Sequence, residues 1–323
     1  MRRVRGRVCD ESRGVALLTA LVLVAIATAI AAAIFFDTGL VLRRTEGSGA
    51  QERAGLIVGG SEALAAALLR EDLDTGDAPI HGGQRWANPL GPIEVEPGSV
   101  LQADLRDLQG RFNLNSLIGI DGRVDPVALA LFERLLRTLE IEPVFAVKLA
   151  DWLDADDQAM SGGGEDDAYT LQAPGYRPPN RPITSVSELR WIPGFDEERF
   201  ARLEPHVAAL PRDAAINLCT ATPALLDALA NERQWVGAED ALQRNRERGC
   251  FPLRQDFRNG FAEPLAFEQL AKAVGLGERS RYFRLRSIVV VGTASYTLYS
   301  LLRYESAPPA EPTVRVLRRH WAE

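Results

Sequence analysis

The sequence predicts an α+β fold, in which one long N-terminal helix and a small antiparallel sheet frame a large all-α insertion domain. An uncharged apolar run near the N-terminus continues into a helical pattern that ends at about Asp72. Apolar and polar residues alternate before position 112 and after position 279, whereas apolar residues recur at helical spacing between them. The 323-residue chain is therefore divided into residues 1–14, 15–36, 37–112, 113–278 and 279–323.

Residues 15–36 form an uncharged run of 22 residues that follows an arginine-rich segment. A helix of that length is about 33 Å long, close to the thickness of a bilayer's hydrocarbon core. The arginines would hold the N-terminus in the cytoplasm, so we expect one membrane pass with the body on the other side. A cleavable signal peptide is the alternative. Its apolar region is usually only about 7 to 15 residues long, although the small residues at 29–33 could suit a signal peptidase.

Two parts of the chain have the composition of strands. Residues 92–114 alternate apolar and polar side chains around Pro97-Gly98, which predicts a β-hairpin. Residues 282–305 and 313–321 are rich in β-branched and aromatic side chains. These stretches supply the predicted sheet.

The central region, residues 113–278, has apolar residues at helical spacing. In it, two short helices are predicted around a tight turn at Pro193-Gly194, a pattern close to the helix-hairpin-helix that grips phosphates in other proteins. Three carboxylates follow the turn and would repel a phosphate. The chain's net charge is −7, and the first fourteen residues contribute +3, which leaves about −10 for the remainder. We therefore expect a structural hairpin and no nucleic-acid partner, with DNA binding as the alternative.

An acidic, glycine-containing stretch occupies residues 151–169. Seven carboxylates flank the glycines at 162–164: Asp151, Asp154, Asp156, Asp157, Glu165, Asp166 and Asp167. Hard oxygen donors on a flexible loop, without His or Cys nearby, suit Ca²⁺ better than zinc or copper. The spacing is not that of an EF-hand. A solvated acidic loop therefore remains the alternative to a calcium site.

Two cysteines, Cys219 and Cys250, lie beyond the apolar run. If the body is exported, they could pair across a loop of about thirty residues, which would restrict the unfolded chain by roughly 3 kcal/mol. Two buried free thiols are the alternative.

The junction between Gly14 and Val15 resembles the cleavage site of type IV prepilins and pseudopilins. In that family, a membrane peptidase cuts after the glycine and methylates the new amine. The fifth mature residue is almost always Glu, whose carboxylate meets the N-terminal amine of a neighbouring subunit. Here the fifth residue is Thr19, which cannot form that pair. A subunit without the carboxylate suits the filament tip, where no amine lies above it.

Several stretches together resemble the type II secretion system protein K family of minor pseudopilins. They occur in the expected order along the chain: the Gly14-Val15 junction, "DLQGRFNLNSL" (107–117), "LADWLDADD" with "GGGEDDAY" (149–157 and 162–169), "NRPITSVSELRWIPGFD" (180–196) and "INLCTA" (216–221). At Cys219 the family often has a polar residue, which leaves the role of this cysteine open.

The resemblance implies a pilin-like core carrying the insertion, with residues 1–14 as a leader removed by prepilin peptidase. It implies a single-pass inner-membrane protein whose body lies in the periplasm and which initiates and caps the pseudopilus tip. The implied partners are minor pseudopilins I and J, then the minor and major pseudopilins H and G, and the secretin or an exoprotein. It also implies calcium in the insertion, which we assign to Asp154, Asp156, Glu165 and Asp166.

No catalytic role is expected. The histidines His81, His206 and His320 are scattered, and neither G-x-S-x-G nor H-E-x-x-H occurs. The alternative function is that of a membrane-anchored periplasmic calcium-binding protein or metal-dependent hydrolase.

Overall fold

The computed structural model describes residues 11–74, 76–232, 234–306 and 311–321, with only the backbone described for residues 11–14. The predicted leader therefore lies mostly outside the described residues. Helix α1 (Glu11–Leu73) has 63 residues and ends one residue beyond the predicted position. At 1.5 Å per residue, α1 is about 95 Å long, and only its part from Ala54 onward packs in the core against the sheet.

The remaining helices are short and lie within the central region. They are α2 (Pro126–Thr138), α3 (Val144–Leu153), α4 (Asp166–Thr170), α5 (Glu197–Leu203), α6 (Pro223–Ala230), α7 (Glu239–Arg246), α8 (Arg254–Asn259) and α9 (Pro264–Val274). In α2, the Asp125 side chain accepts hydrogen bonds from the first-turn N–H groups of Val127 and Ala128, at 2.9 and 3.0 Å. Such a cap satisfies donors that the helix itself cannot satisfy.

The strands are distributed over one sheet and two short pairs. They are β1 (Leu90–Glu96), β2 (Ser99–Asp107), β3 (Phe112–Asn113), β4 (Val207–Ala208), β5 (Ile216–Asn217), β6 (Leu276–Gly277), β7 (Tyr282–Val291), β8 (Ala294–Glu305) and β9 (Thr313–Trp321). The five-stranded sheet has the order β1-β2-β7-β8-β9, and every neighbouring pair is antiparallel. The α+β class is therefore confirmed.

The predicted hairpin at Pro97-Gly98 joins β1 and β2, with Glu96 opposite Ser99. Gly98 has φ +81°, a conformation that glycine adopts without steric cost in a tight turn. Two details differ from the sequence analysis. The insertion is not purely helical, because β3 pairs with β4 and β5 with β6 in short parallel ladders. The first predicted helix of the Pro193-Gly194 hairpin is a 3₁₀ helix, Val186–Trp191.

Two large hydrophobic cores give the body its form. The first lies between the sheet and the last five turns of α1, where Ala54, Val58, Ala65, Leu69 and Leu73 form a buried stripe. These positions recur every three to four residues, or at multiples of that spacing, as one face of a helix requires. The second core lies inside the helical insertion and is built around the stacked rings of Phe112 and Phe132.

A network of polar side chains joins the sheet to the insertion, beside a small apolar cluster. Asp107, at the end of β2, accepts hydrogen bonds from Asn217, Thr220 and Ser280 at 2.5–3.1 Å. The Gln109 amide donates to the Ala215 carbonyl at 2.6 Å and accepts from two backbone N–H groups of the chain entering β7. The chain crosses between the two parts through this network. The domain limits at 113 and 278 stay a prediction.

Candidate functional site

The first half of α1 has no protein packed against it. Its large apolar side chains between Val15 and Phe36 are 51–82% exposed. Within the described residues, α1 is the one helix long and apolar enough to cross a membrane. The Thr19 hydroxyl donates to the Ala16 carbonyl at 3.0 Å, so its polar group is satisfied inside the helix. Gly14 lies in the helical backbone beside Val15, without a break at the predicted cleavage position.

The acidic loop connects α3 to α4. Helix α3 stops at Asp154, whose N–H still bonds the Ala150 carbonyl at 2.9 Å while its backbone has become extended. The loop folds back on Asp151, whose Oδ2 accepts from Met160 N at 3.1 Å and Gly164 N at 2.8 Å. A Cβ at Gly163 would overlap that carboxylate, so the glycine is required for the close approach.

Three carboxylates of the loop are buried without full hydrogen bonding. Asp151 Oδ1, Asp154 Oδ1 and both Glu165 oxygens have no partner among the described residues. Burial, with the nearby Asp156 and Asp151, raises the pKa of Asp154 to about 6. Burial and the same group of carboxylates raise the pKa of Glu165 to about 7. Buried carboxylates that repel one another in this way are a configuration that a cation would relieve.

Of the four residues assigned to calcium, the structure buries Asp154 and Glu165 but not the other two. Asp156 is exposed, and its Oδ1 accepts from Gln158 N at 2.9 Å. Asp166 lies 3.3 Å from Arg177 Nε in an ion pair. Neither residue carries a buried oxygen without a partner, so their ligation stays a prediction.

Asn180 joins the loop from a later part of the chain. Its side-chain amide donates to the Asp156 carbonyl at 3.2 Å and the Asp157 carboxylate at 3.3 Å, while its Oδ1 is buried without a partner. The sequence analysis assigned neither Asn180 nor Asp151. Asn180 is the first residue of "NRPITSVSELRWIPGFD". Its backbone is in the left-handed region, with φ +45°.

The donor set fits calcium in kind. It provides five buried oxygens, from three carboxylates and one amide, and Ca²⁺ takes such hard oxygen ligands. As the side chains stand, no group of three or more His, Cys, Asp or Glu in the described ranges is arranged to hold an ion. The side chains would therefore have to rotate to converge on a metal.

The structure joins Cys219 and Cys250 in a disulfide bond, with their Cα atoms 4.6 Å apart. Arg246 lies beside it and holds the same two segments through the carbonyls of Phe251 at 2.9 Å and Ala221 at 2.7 Å. Neither cysteine contacts the acidic loop. The disulfide links the segment that follows α7 to the segment at the junction between the sheet and the insertion.

The histidines lie in separate surroundings. His81 Nδ1 accepts from Gly83 N at 3.2 Å, and His206 Nδ1 lies 2.9 Å from the Thr222 hydroxyl. Burial lowers the pKa of both rings. His320 is exposed on β9. The structure does not bring these rings together with one another.

A long helix that is bare and apolar at its start and packed against an antiparallel sheet at its end defines the pseudopilin class of secretion subunits. Within that class, the helical insertion is the distinguishing feature of this chain. The family model "Type II secretion system (T2SS), protein K" matches residues 110–212. Relatives of that name that are more than 30% identical along nearly the whole chain show that it belongs to the type II secretion system protein K family, whose members are minor pseudopilins.

The similar proteins cover nearly the whole chain. The type II secretion system protein K of Pseudomonas aeruginosa is 36% identical over 90% of this chain and 88% of its own. That of Klebsiella pneumoniae is 33% identical over 91% of this chain and 93% of its own. A chain in the crystal structure of the GspK-GspI-GspJ complex from enterotoxigenic Escherichia coli superposes with a TM-score of 0.71 and 27% identity, covering 87% of this chain and 99% of that one.

Proposed function

We propose that this chain initiates and caps the tip of the periplasmic pseudopilus, in a complex with minor pseudopilins I and J. The minor pseudopilin H and the major pseudopilin G follow below that complex. Before assembly, α1 anchors the chain in the inner membrane and the body lies in the periplasm. Support comes from the solved relative, which was crystallised with GspI and GspJ.

The bare half of α1 is the observation that carries this proposal. Full burial of a large apolar side chain is worth about 1.5–3 kcal/mol, so a segment with this many of them must be covered. Lipid covers it in the membrane, and the helices of neighbouring subunits can replace lipid in a filament. A helix that projects from its own domain suits both environments.

Thr19 decides the place in the filament. A carboxylate in the middle of a membrane segment costs on the order of 3 kcal/mol unless a partner charge offsets it. The Thr19 hydroxyl is satisfied by its own helix and has no such requirement. This subunit therefore needs no amine from a subunit above it. That suits the uppermost position, where no subunit lies above.

Co-purification tests the complex. A tagged full-length chain, extracted in detergent, is expected to retain pseudopilins I and J together. Recovery of neither one, when all three are co-expressed, would contradict the tip assignment.

Mass spectrometry of the same sample is expected to find an N-methylated Val15 at the mature N-terminus. A Gly14→Glu variant is expected to keep its leader, because prepilin peptidase cuts after this glycine.

The proposed role is structural and involves no catalytic step. The chain's polar clusters serve attachment instead: Asp107 joins the sheet to the insertion, and the acidic loop is closed on Asp151. A structural role also suits a subunit that moves only as part of a filament.

We also propose that Ca²⁺ binds the acidic loop through Asp151, Asp154, Glu165 and Asn180. The bound ion would neutralise the mutual repulsion of the three carboxylates and pin α3 to α4. Calcium is therefore expected to raise the melting temperature of the full-length chain in detergent, and a chelator to lower it.

The Asp154→Asn variant tests this ligand set. It should lose most of the calcium-dependent rise, because one buried ligand charge is removed. Asp167→Asn is the matched control, since Asp167 is an exposed carboxylate in the first turn of α4, directly after the loop. Equal responses of both variants and the native chain would show that the loop is merely solvated.

A further inference from the structure

A cleft of about 680 Å³ separates the helical insertion from the sheet face that lies opposite α1. β8 and β9 form one wall, and the 3₁₀ helix Val186–Trp191 with α5 forms the other. The cleft is distinct from the acidic loop and from the apolar half of α1. Its lining combines guanidinium groups with apolar side chains.

Two arginines in the cleft share one carboxylate. Arg111 Nη1 lies 3.4 Å from Glu204 Oε1, and Arg284 Nη1 lies 3.2 Å from the same oxygen. The Arg111 side chain is only 9% exposed. Burial, and after it the neighbouring Arg284, lower the pKa of Arg111.

Two further arginines line the cleft, one on each wall. Arg318, on β9, donates to the Thr184 carbonyl, and no carboxylate of the described residues lies within ion-pair distance of it. Arg190 forms a bidentate pair with Glu197 at 2.7 and 2.8 Å. A fifth lining arginine, Arg319, is paired with a carboxylate of α1. The other four guanidinium groups of the cleft therefore face two carboxylates.

We infer that this cleft binds an acidic, partly apolar segment of another protein chain. Guanidinium groups form paired hydrogen bonds with carboxylates, which favours Asp and Glu side chains as ligands. Val186, Phe200 and Leu301 also line the cleft, so aliphatic side chains of the same segment would be buried. The inference does not depend on a position at the filament tip.

Other anions fit less well. The sheet first packs on α1 at Ala54, eighteen residues beyond Phe36, so about 27 Å of helix separates the body from the apolar segment. Lipid headgroups would therefore not reach the cleft. The body as a whole is acidic, which repels a long polyanion and admits only a short segment that enters the cleft.

Fluorescence anisotropy can test this with the full-length chain in detergent. The probe is a labelled six-residue peptide of alternating Glu and Leu, and the matched probe has Gln in place of Glu. We expect the Glu peptide to bind at least about tenfold more tightly than the Gln peptide, and to weaken as salt is raised. Arg284→Gln and Arg318→Gln are each expected to weaken it by about tenfold.

Arg123→Gln is the matched control, because Arg123 is exposed on the insertion and does not line the cleft. It should leave binding unchanged. Arg318 is exposed, so its variant remains informative even if Arg284→Gln folds poorly. Equal binding of the two peptides, or equal loss in all three variants, would overturn the inference. Displacement of the peptide by equimolar inorganic phosphate would also overturn it, because the cleft would then be a site for small phosphate anions.

Discussion

Asp107 is the residue through which the sheet and the insertion are most closely tied. Its carboxylate accepts from the side chains of Asn217, Thr220 and Ser280, which come from two separate segments. The Asn217 amide also donates to the Ile80 carbonyl at 2.9 Å. "DLQG" and "INLCTA", which the sequence analysis used only as family signatures, are therefore the two sides of one network.

Asp107→Ala should lower the free energy of unfolding by about 2 kcal/mol, because it leaves several polar groups without their acceptor. Urea unfolding of the full-length chain in detergent, followed by circular dichroism, measures this. Asp121→Ala is the control, since Asp121 lies on an exposed turn. Equal midpoints for the two variants would contradict a central role for Asp107.

The acidic loop shows which site residues a sequence can and cannot indicate. Its carboxylates and glycines led to the prediction of a cation site, and of the four residues assigned to that site the structure buries Asp154 and Glu165. Asn180 lies fifteen residues beyond Glu165 along the chain, and only the folded path brings its amide to Asp157. Asp151 belongs to α3, where a helical pattern alone does not show that its side chain is enclosed by the loop.

At the scale of elements, an ion pair between a buried carboxylate of α1 and an exposed arginine of β9 adds to the apolar core that holds α1 on the sheet. Glu62 Oε1 and Oε2 each accept from Arg319 at 2.8 Å, and the Ser300 hydroxyl donates to Oε1 at 2.6 Å. Burial alone would raise the pKa of Glu62, but the bonds from Arg319 and Ser300 lower it below its usual 4.5. The ionised carboxylate thus holds α1 to β8 and β9.

Glu62→Gln is expected to lower the free energy of unfolding by about 2 kcal/mol at neutral pH. Because the folded-state pKa is lowered, the stabilisation is present above pH 4.5 and is lost as the pH falls through the folded value. The difference between the variant and the native chain should therefore shrink below pH 4.5. Urea midpoints at pH 7 and pH 3.5 measure it, and a constant difference would contradict the ion-pair account.

The disulfide between Cys219 and Cys250 closes a loop over 31 positions. Loop-closure entropy predicts a stabilisation of about 3.5 kcal/mol. A Cys219→Ala, Cys250→Ser double variant should have a lower melting temperature than the native chain, measured by circular dichroism. Reductant should lower the melting temperature of the native chain by the same amount. The double variant is its own control, because reductant should not affect it. An unchanged native melting temperature in reductant would contradict a contribution from the bond.

Elements with a regular pattern were predicted well because the periodicity reflects burial directly. In β2, alternate residues such as Leu101, Ala103 and Leu105 are buried against α1, as the alternation required. The 3₁₀ helix Val186–Trp191 was predicted as an ordinary helix, since six residues cannot distinguish the two periods. The parallel pairs β3–β4 and β5–β6 join residues about sixty to a hundred positions apart, so no local pattern indicates them.

At the scale of the whole molecule, charge is unevenly distributed. A body of net negative charge carries unpaired buried carboxylates in one loop and five arginines in the lining of the cleft. The apolar half of α1 is uncharged and projects away from both. Membrane or filament contacts, cation binding and partner binding are thereby separated, so each can be altered without removing the others.

Thr19→Glu tests the place of the whole subunit in the filament. The family resemblance implies that a fifth-position carboxylate pairs with the N-terminal amine of a neighbouring subunit, and such a pair would offset the cost of the charge among apolar helices. The variant should therefore enter positions below the tip. The ratio of this chain to the major pseudopilin in sheared filaments should rise.

Thr28→Glu is the matched control. Thr28 also bonds its own helix, through the Val24 and Ala25 carbonyls, but lies nine residues further along. It bears at least the same desolvation cost without the partner amine, so it should assemble less well than the native chain. An unchanged ratio for Thr19→Glu would mean that contacts of the body, and not the missing carboxylate, keep this subunit at the tip.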